Sequence, residues 1–277
     1  MRPLSLAALA AITALIAACG EPLPSDDAGA DARGDASMSS DANASDSARD
    51  TTNETATDAP IDSPADVSMT EASVDVPADT PSGPPTAAQL LALTTSCMRV
   101  AGSPLYALDS GETATVPLCQ LTGAIYWHAD MDVDCDGGSG AVCMSDPYYQ
   151  PDTSGVTSTG QPLDASTLPF IVIPLPRTGF DYRNFDIHIG SVAAVIYRDQ
   201  VVYAIFGDAG PSTIIGEGSY ALAQALGIDP DPSTGGVDSG VTYIVFQGAD
   251  GRVTHNEDHD EATRVGEARA TTLVSGG

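Results

Sequence analysis

The chain has 277 residues, a formal net charge of −28 at pH 7 and a sequence pI near 4.1, and its ten basic residues are all arginine. A polyanion of this kind is repelled by nucleic acid and by anionic membrane surfaces, so neither is an expected partner, while a cationic ligand is compatible with it. The same acidity also suits an exported, soluble protein and does not by itself name a ligand.

Residues 1–19 read as an export signal. Arg2 supplies the positive charge, Leu4 to Ala18 is an apolar stretch short for crossing a bilayer, and Ile16-Ala17-Ala18-Cys19 closes it. That ending resembles the bacterial lipoprotein box, which implies Cys19 as the lipidated first residue of the mature chain. Gly20, rather than Asp, then implies the outer membrane as destination. The other reading is an ordinary signal peptide and a secreted product, and membrane contact is expected only through the anchor. Residues 20–85 are built of Ala, Asp, Ser, Thr and Pro, with twelve Asp and three Glu against Arg33 and Arg49, and the first aromatic residue of the chain is Tyr106. So little apolar surface cannot offset the entropy of ordering, and a disordered acidic tether is expected.

Residues 86–277 are long enough for one domain with its own core, expected to be a monomer. Cys97, Cys119, Cys135 and Cys143 are an even set in an exported domain, where oxidation is the rule. No Cys-x-x-Cys pair or Cys/His array has zinc spacing, so no thiolate metal site is expected. Three disulfide pairings are open; Cys97 with Cys119 and Cys135 with Cys143 close the most local loops. Helical pattern is clear at Ala87 to Leu93 and Ser219 to Leu226. Strand-like runs fall at Gly123 to Trp127, Phe170 to Leu175, Val192 to Arg198, Val201 to Phe206 and Val241 to Gln247, with Arg198-Asp199-Gln200 as a hairpin turn. Many short strands with Gly and Pro punctuation predict a mainly β barrel or sandwich with one or two short helices.

Asp130, Asp132, Asp134 and Asp136 alternate with Met131, Val133 and Cys135, so an extended segment turns all four carboxylates to one face. Like charges so close need solvent or a positive partner. A solvated edge, a lining for a cationic ligand and a calcium loop over Asp132, Asp134, Asp136 and Gly137 all remain open; the loop lacks the Glu that an EF-hand carries at its twelfth position, which is Cys143 here. Tyr126 and Trp127 adjoin the ladder and read either as flat faces for a ring-shaped ligand or as core. His188 sits in an alternating, strand-like pattern as a structural histidine. His255 and His259 fall in an acidic, solvated tail segment.

Gly207-Asp208-Ala209-Gly210-Pro211 ends the run Val201 to Phe206, and Ile215-Gly216-Glu217 stands at the start of the helix that Gly227 caps, with Ile228 folding back. Two carboxylates on the rims of rigid elements are what glycosidic bond hydrolysis needs, one as acid and one as base. The plain alternative is that Asp208 orders a turn and Glu217 caps a helix. No Gly-x-Ser-x-Gly elbow or phosphate-binding loop occurs.

Trp127 to Gly137, Leu168 to Pro174, Gly207 to Pro211, Ile214 to Tyr220 and Gly240 to Phe246 follow one another as in the fungal-type chitosanases of glycoside hydrolase family 75, which the chain resembles over roughly residues 95 to 250. The resemblance implies an endo-acting, inverting hydrolase of β-1,4-linked polyglucosamine with Asp208 and Glu217 as its catalytic carboxylates. With such a substrate, the ladder residues Asp130, Asp132 and Asp134, together with Tyr126 and Trp127, are the substrate-binding candidates, placed to meet protonated amines and sugar rings. No organic cofactor is implied; calcium at Asp132, Asp134 and Asp136 stays open. Departures are His128 where an acid is expected, and Ala209 and Gly218 for Thr and Ala. The order of strands, Asp-x-Gly-Pro, Gly-acid and short helix also resembles double-psi β-barrels, with Glu217 then in the acid's place. Two alternatives remain, a glycan-binding surface lipoprotein without activity and an enzyme acting on another amino sugar polymer such as peptidoglycan.

Overall fold

The computed structural model describes residues 83–276; the expected signal at 1–19, Cys19 and nearly all of the tether lie outside the described residues. Helix α1 (Ala87–Leu93) starts at Thr86 with a reciprocal cap: Gln89 N–H donates to Thr86 Oγ1 at 3.3 Å and Thr86 N–H to Gln89 Oε1 at 2.9 Å. The strands that follow are β1 (Cys119–Leu121), β2 (Ala124–Asp134), β3 (Phe170–Pro174), β4 (Val192–Tyr197), β5 (Gln200–Gly210), β6 (Glu217–Ser219) and β7 (Val237–Phe246). Helix α2 (Tyr220–Ala225) follows β6 directly, and α3 (His259–Val274) ends the domain.

Six of the strands close on themselves in the order β2-β6-β3-β5-β4-β7, with β7 pairing back to β2 and β1 lying along the first half of β2. Closure removes the free edges that an open sheet would expose. Two contacts are parallel, β2 with β6 and β3 with β5, and the rest are antiparallel, giving the mainly β, double-psi-like barrel that the sequence predicts. Alternation sorts the side chains: Ile125, Trp127, Ala129 and Met131 of β2 join one core cluster with Phe206, Tyr243 and Val245, while Ala124 and Tyr126 join a second with Leu90 of α1 and Ala262 and Ala270 of α3. The barrel is thus filled on one side of each strand and covered by helices on the other.

Both expected disulfides form. Cys97 joins Cys119 at the start of β1, and Cys135 joins Cys143 to close the loop that leaves β2. The C-terminus of α2 is the double cap expected at Gly227: its N–H donates to Gln224 O at 3.1 Å and the Ile228 N–H to Ala223 O at 2.9 Å, with Gly227 at φ +69°.

Several boundaries move. The acidic ladder is the continuation of β2, which runs past its expected end at Trp127 to reach Asp134, and β5 runs through Asp208 to Gly210 instead of stopping at Phe206. Phe185 to Gly190 is not a strand. A 3-10 turn at Tyr182–Phe185 leads into Asp186 at φ +52°, and His188 sits beside it, its Nε2 3.1 Å from Asp186 Oδ1. The expected acidic tail is the start of α3, capped by Asp258, whose side chain accepts from the Glu261 N–H. The buried face of α3 is Ala262, Gly266 and Ala270, small residues that carry almost no hydrophobic signal. A Cβ on Gly266 would stand 2.2 Å from Tyr203 Cδ1, so the helix lies directly on that ring.

Candidate active site

The parallel pairing of β2 with β6 sets Asp132 opposite Glu217, and that of β3 with β5 sets Val172 opposite Asp208. Since β6 and β3 are neighbours, the two acidic motifs come together on one stretch of barrel wall. Glu217 is the first residue of β6, and the cap of α2 is Ser219, whose Oγ accepts from the Leu222 N–H at 3.2 Å. Glu217 therefore caps no helix and is free for another role.

Two glycines seat Glu217. A Cβ on Gly210 would fall 2.8 Å from Glu217 Oε2, so the carboxylate lies over the bare backbone of the Gly-Asp-Ala-Gly segment. Gly216 has φ +119°, and a Cβ there would stand 1.9 Å from Asp130 Oδ1. Burial pushes the Glu217 carboxyl up to about 7, helped by the charges of Asp132, Asp208 and Asp136.

Asp208 is buried at 8% exposure. Its Oδ1 accepts the Ser154 N–H at 2.8 Å and the Ala209 N–H at 2.7 Å, and Ser154 Oγ accepts the Ala209 N–H at 3.2 Å. The Thr153-Ser154-Gly155 loop that supplies these contacts docks through the Gly155 N–H to Gly207 O at 2.8 Å. Sequence reading missed Ser154, which sits in a polar loop without periodicity; the signal it left was Gly155, where a Cβ would stand 2.6 Å from Gly207 O.

The ladder does not present one uniform face. Asp132 is exposed and Asp134 and Asp136 are half-buried, while Asp130 is buried at 5% exposure beneath Gly216. Burial, then the Asp132 charge, push Asp130 up to about 8; partial loss of water around the crowded carboxylates first, and neighbouring charges next, push Asp132, although its surface is exposed, and Asp136 up to about 6. Asp130 is thus a core residue and not a substrate-binding one. Tyr126 and Trp127 are corrected likewise. Tyr126 packs under the helices with its OH donating to Ser96 O at 2.8 Å, and Trp127 stacks on Tyr243 inside the barrel at 5.2 Å between centroids. Neither offers a face to a sugar ring. His128 pairs with Thr242 Oγ1 through Nδ1 at 2.9 Å and with Thr94 O through Nε2 at 3.3 Å. Of the residues expected for calcium, Asp132 lies on β2 opposite Glu217, while Asp134 and Asp136 converge with Asp208.

A closed mixed barrel whose wall gathers several carboxylates, one of them with a raised pKa beside a second fixed by backbone donors, is a glycan-hydrolase type of site. The family model described as fungal chitosanase of glycosyl hydrolase group 75 matches residues 131–271, and the chain belongs to that family. Endo-chitosanase C of Aspergillus oryzae is 32% identical over 170 residues, which cover 58% of this chain and 43% of that protein. An endo-chitosanase of Aspergillus oryzae (strain ATCC 42149 / RIB 40) is 32% identical over 149 residues, covering 46% and 61%, and one of Aspergillus fumigatus is 30% identical over 132 residues, covering 42% and 55%. The chain spans about half the length of these relatives.

Proposed function

We propose that the protein is an endo-chitosanase that hydrolyses β-1,4 bonds of polyglucosamine with inversion at the anomeric carbon. The observation that carries this reading is the meeting of Asp208 and Glu217 on one stretch of barrel wall, with Glu217 raised to about 7. A carboxyl that holds its proton near neutral pH is suited to protonate the leaving oxygen, so Glu217 is the acid. Asp208, oriented by Ser154 and Ala209, is the base that activates water on the opposite side of the sugar. Inversion needs about 6.5 to 9.5 Å between the two carboxyls to admit that water. Exposed Asp132 faces the protonated amines of the substrate. The reaction needs no organic cofactor.

The same reading has the chain exported and held by a lipid on Cys19. Among the described residues no helix is long and apolar enough to cross a membrane. A radioactive fatty acid should label the wild type in a bacterial host and leave Cys19→Ser unlabelled; label on the serine variant rejects lipidation.

Release of reducing ends from chitosan tests the catalytic pair. Glu217→Gln and Asp208→Asn should each lower turnover by about 10² or more with Tm nearly unchanged, because each removes a proton-transfer role and alters few atoms. Either variant keeping more than about a tenth of the wild-type rate rejects that residue's role.

A further inference from the structure

Asp134, Asp136 and Asp208 each bring one carboxylate oxygen within 4.8 Å of the other two. All three are fixed in the same way, through Oδ1. Asp134 Oδ1 accepts the Asp136 N–H at 2.8 Å, Asp136 Oδ1 the Gln150 N–H at 2.7 Å, and Asp208 Oδ1 the Ser154 and Ala209 N–H groups. Among the described residues no donor reaches the Oδ2 of any of them. Asp134 Oδ2 is moreover sealed from solvent, deep among the other carboxylates, with no partner at all. The ion pairs among the described residues, Arg183 with Asp181 and His188 with Asp186, leave this cluster without a protein cation.

A buried carboxylate oxygen without a donor, as Asp134 Oδ2 is, is costly, and three carboxylates side by side repel one another. We propose that Asp134, Asp136 and Asp208 bind a hard divalent cation, with calcium as the ion that fits. An all-oxygen ligand set suits calcium, magnesium or manganese and disfavours zinc and copper. Calcium holds its ligands at about 2.3 to 2.6 Å in flexible geometry, whereas magnesium, at about 2.1 Å, demands near-ideal octahedral geometry and gives up its waters reluctantly. One calcium on three carboxylates leaves a single net negative charge. Water completes the coordination, which places the affinity at about 0.1 to 1 mM.

Binding stands on the geometry alone; its consequence for turnover rests on the proposed chitosanase reading. Asp208 is shared between the ion and the reaction, so bound calcium withdraws the base and slows hydrolysis. The cation site thereby makes the enzyme sensitive to millimolar calcium.

The test uses chelator-stripped protein at constant ionic strength without substrate, so its failure is separate from failure of the glycosidase reading. Titration calorimetry with calcium chloride should give one ion per chain, and 10 mM calcium should raise Tm by several degrees. Asp134→Asn and Asp136→Asn should lose both effects, and Glu217→Gln should keep them. No heat of binding up to 10 mM, or a wild-type Tm rise in both Asn variants, overturns the proposal. Stabilisation by protonated glucosamine oligomers with none by calcium also overturns it, in favour of an ammonium subsite. Should the Asn variants not fold, the wild-type stoichiometry decides.

Discussion

Glu217 Oε2 occupies the place that a side chain at position 210 would need: a Cβ on Gly210 stands 2.8 Å from it and 2.8 Å from Val172 Cγ1. The two acidic motifs are therefore fitted to each other through a glycine of one and the carboxylate of the other. Gly210→Ala obliges Glu217 or Val172 to shift. A small displacement of a reacting group costs far more rate than stability. We expect kcat on chitosan oligomers to fall at least tenfold while Tm drops by only a few degrees; a variant with wild-type kcat means that the contact between Gly210 and Glu217 does not set the position of the carboxylate in the reaction.

The pH profile follows from the same carboxyl. An acid in the role proposed for Glu217 works protonated, and with the carboxyl pushed up to about 7 the rate should decline as pH rises through 7. After burial, the Asp132 charge is the largest contributor to that elevation. Asp132→Asn removes it, the Glu217 pKa falls, and the alkaline limb of kcat should move to lower pH. A limb that stays in place assigns it to another group.

Much of this was legible in the chain. The apolar runs of β3, β4, β5 and β7 announce themselves because each has a stretch buried on both faces, and Gly227 marks the end of α2 through the one conformation it supplies. Asp208 and Glu217 were marked by their glycine neighbours. What stayed hidden depends on tertiary contact. Helix α3 is buried through Ala262, Gly266 and Ala270, which no hydrophobic period reveals, and the burial of Asp130 and Trp127 is decided by the barrel's closure. The junction of Asp208 with Asp134 and Asp136 joins the end of β2 to the end of β5, a separation along the chain that no local spacing encodes.

Buried acids also set how stability depends on pH. Carboxylates in an unfolded chain titrate at about 4, whereas in the folded chain Asp130 titrates at about 8, Glu217 at about 7 and Asp132 and Asp136 at about 6. Between about pH 4 and 8 the folded state therefore holds more protons than the unfolded one, and stability falls as pH rises through that window. Calorimetry in the presence of a chelator should find a higher Tm at pH 5 than at pH 8. Asp130→Asn, which removes the most strongly raised of these groups at constant shape, should flatten the decline between pH 6 and 8; an unchanged slope means that Asp130 is already ionised in the folded protein there and that its pKa is not raised.

Exposed Asp132 lies at the mouth of the carboxylate cluster with no basic partner among the described residues, so its field reaches into solvent. A polymer of protonated glucosamine is drawn to such a field, and salt weakens the attraction as the Debye length shrinks from about 30 Å at 0.01 M to about 3 Å at 1 M. On chitosan, kcat/KM should fall as sodium chloride is raised across that range. Asp132→Asn should lower kcat/KM at low salt, chiefly through KM, and flatten the salt response, leaving the two proteins nearly equal in high salt. A heavily N-acetylated polymer carries few charges, so it should be a poor substrate whose turnover responds neither to salt nor to the substitution. Equal salt slopes for wild type and Asp132→Asn on chitosan would mean that the substrate does not meet this carboxylate.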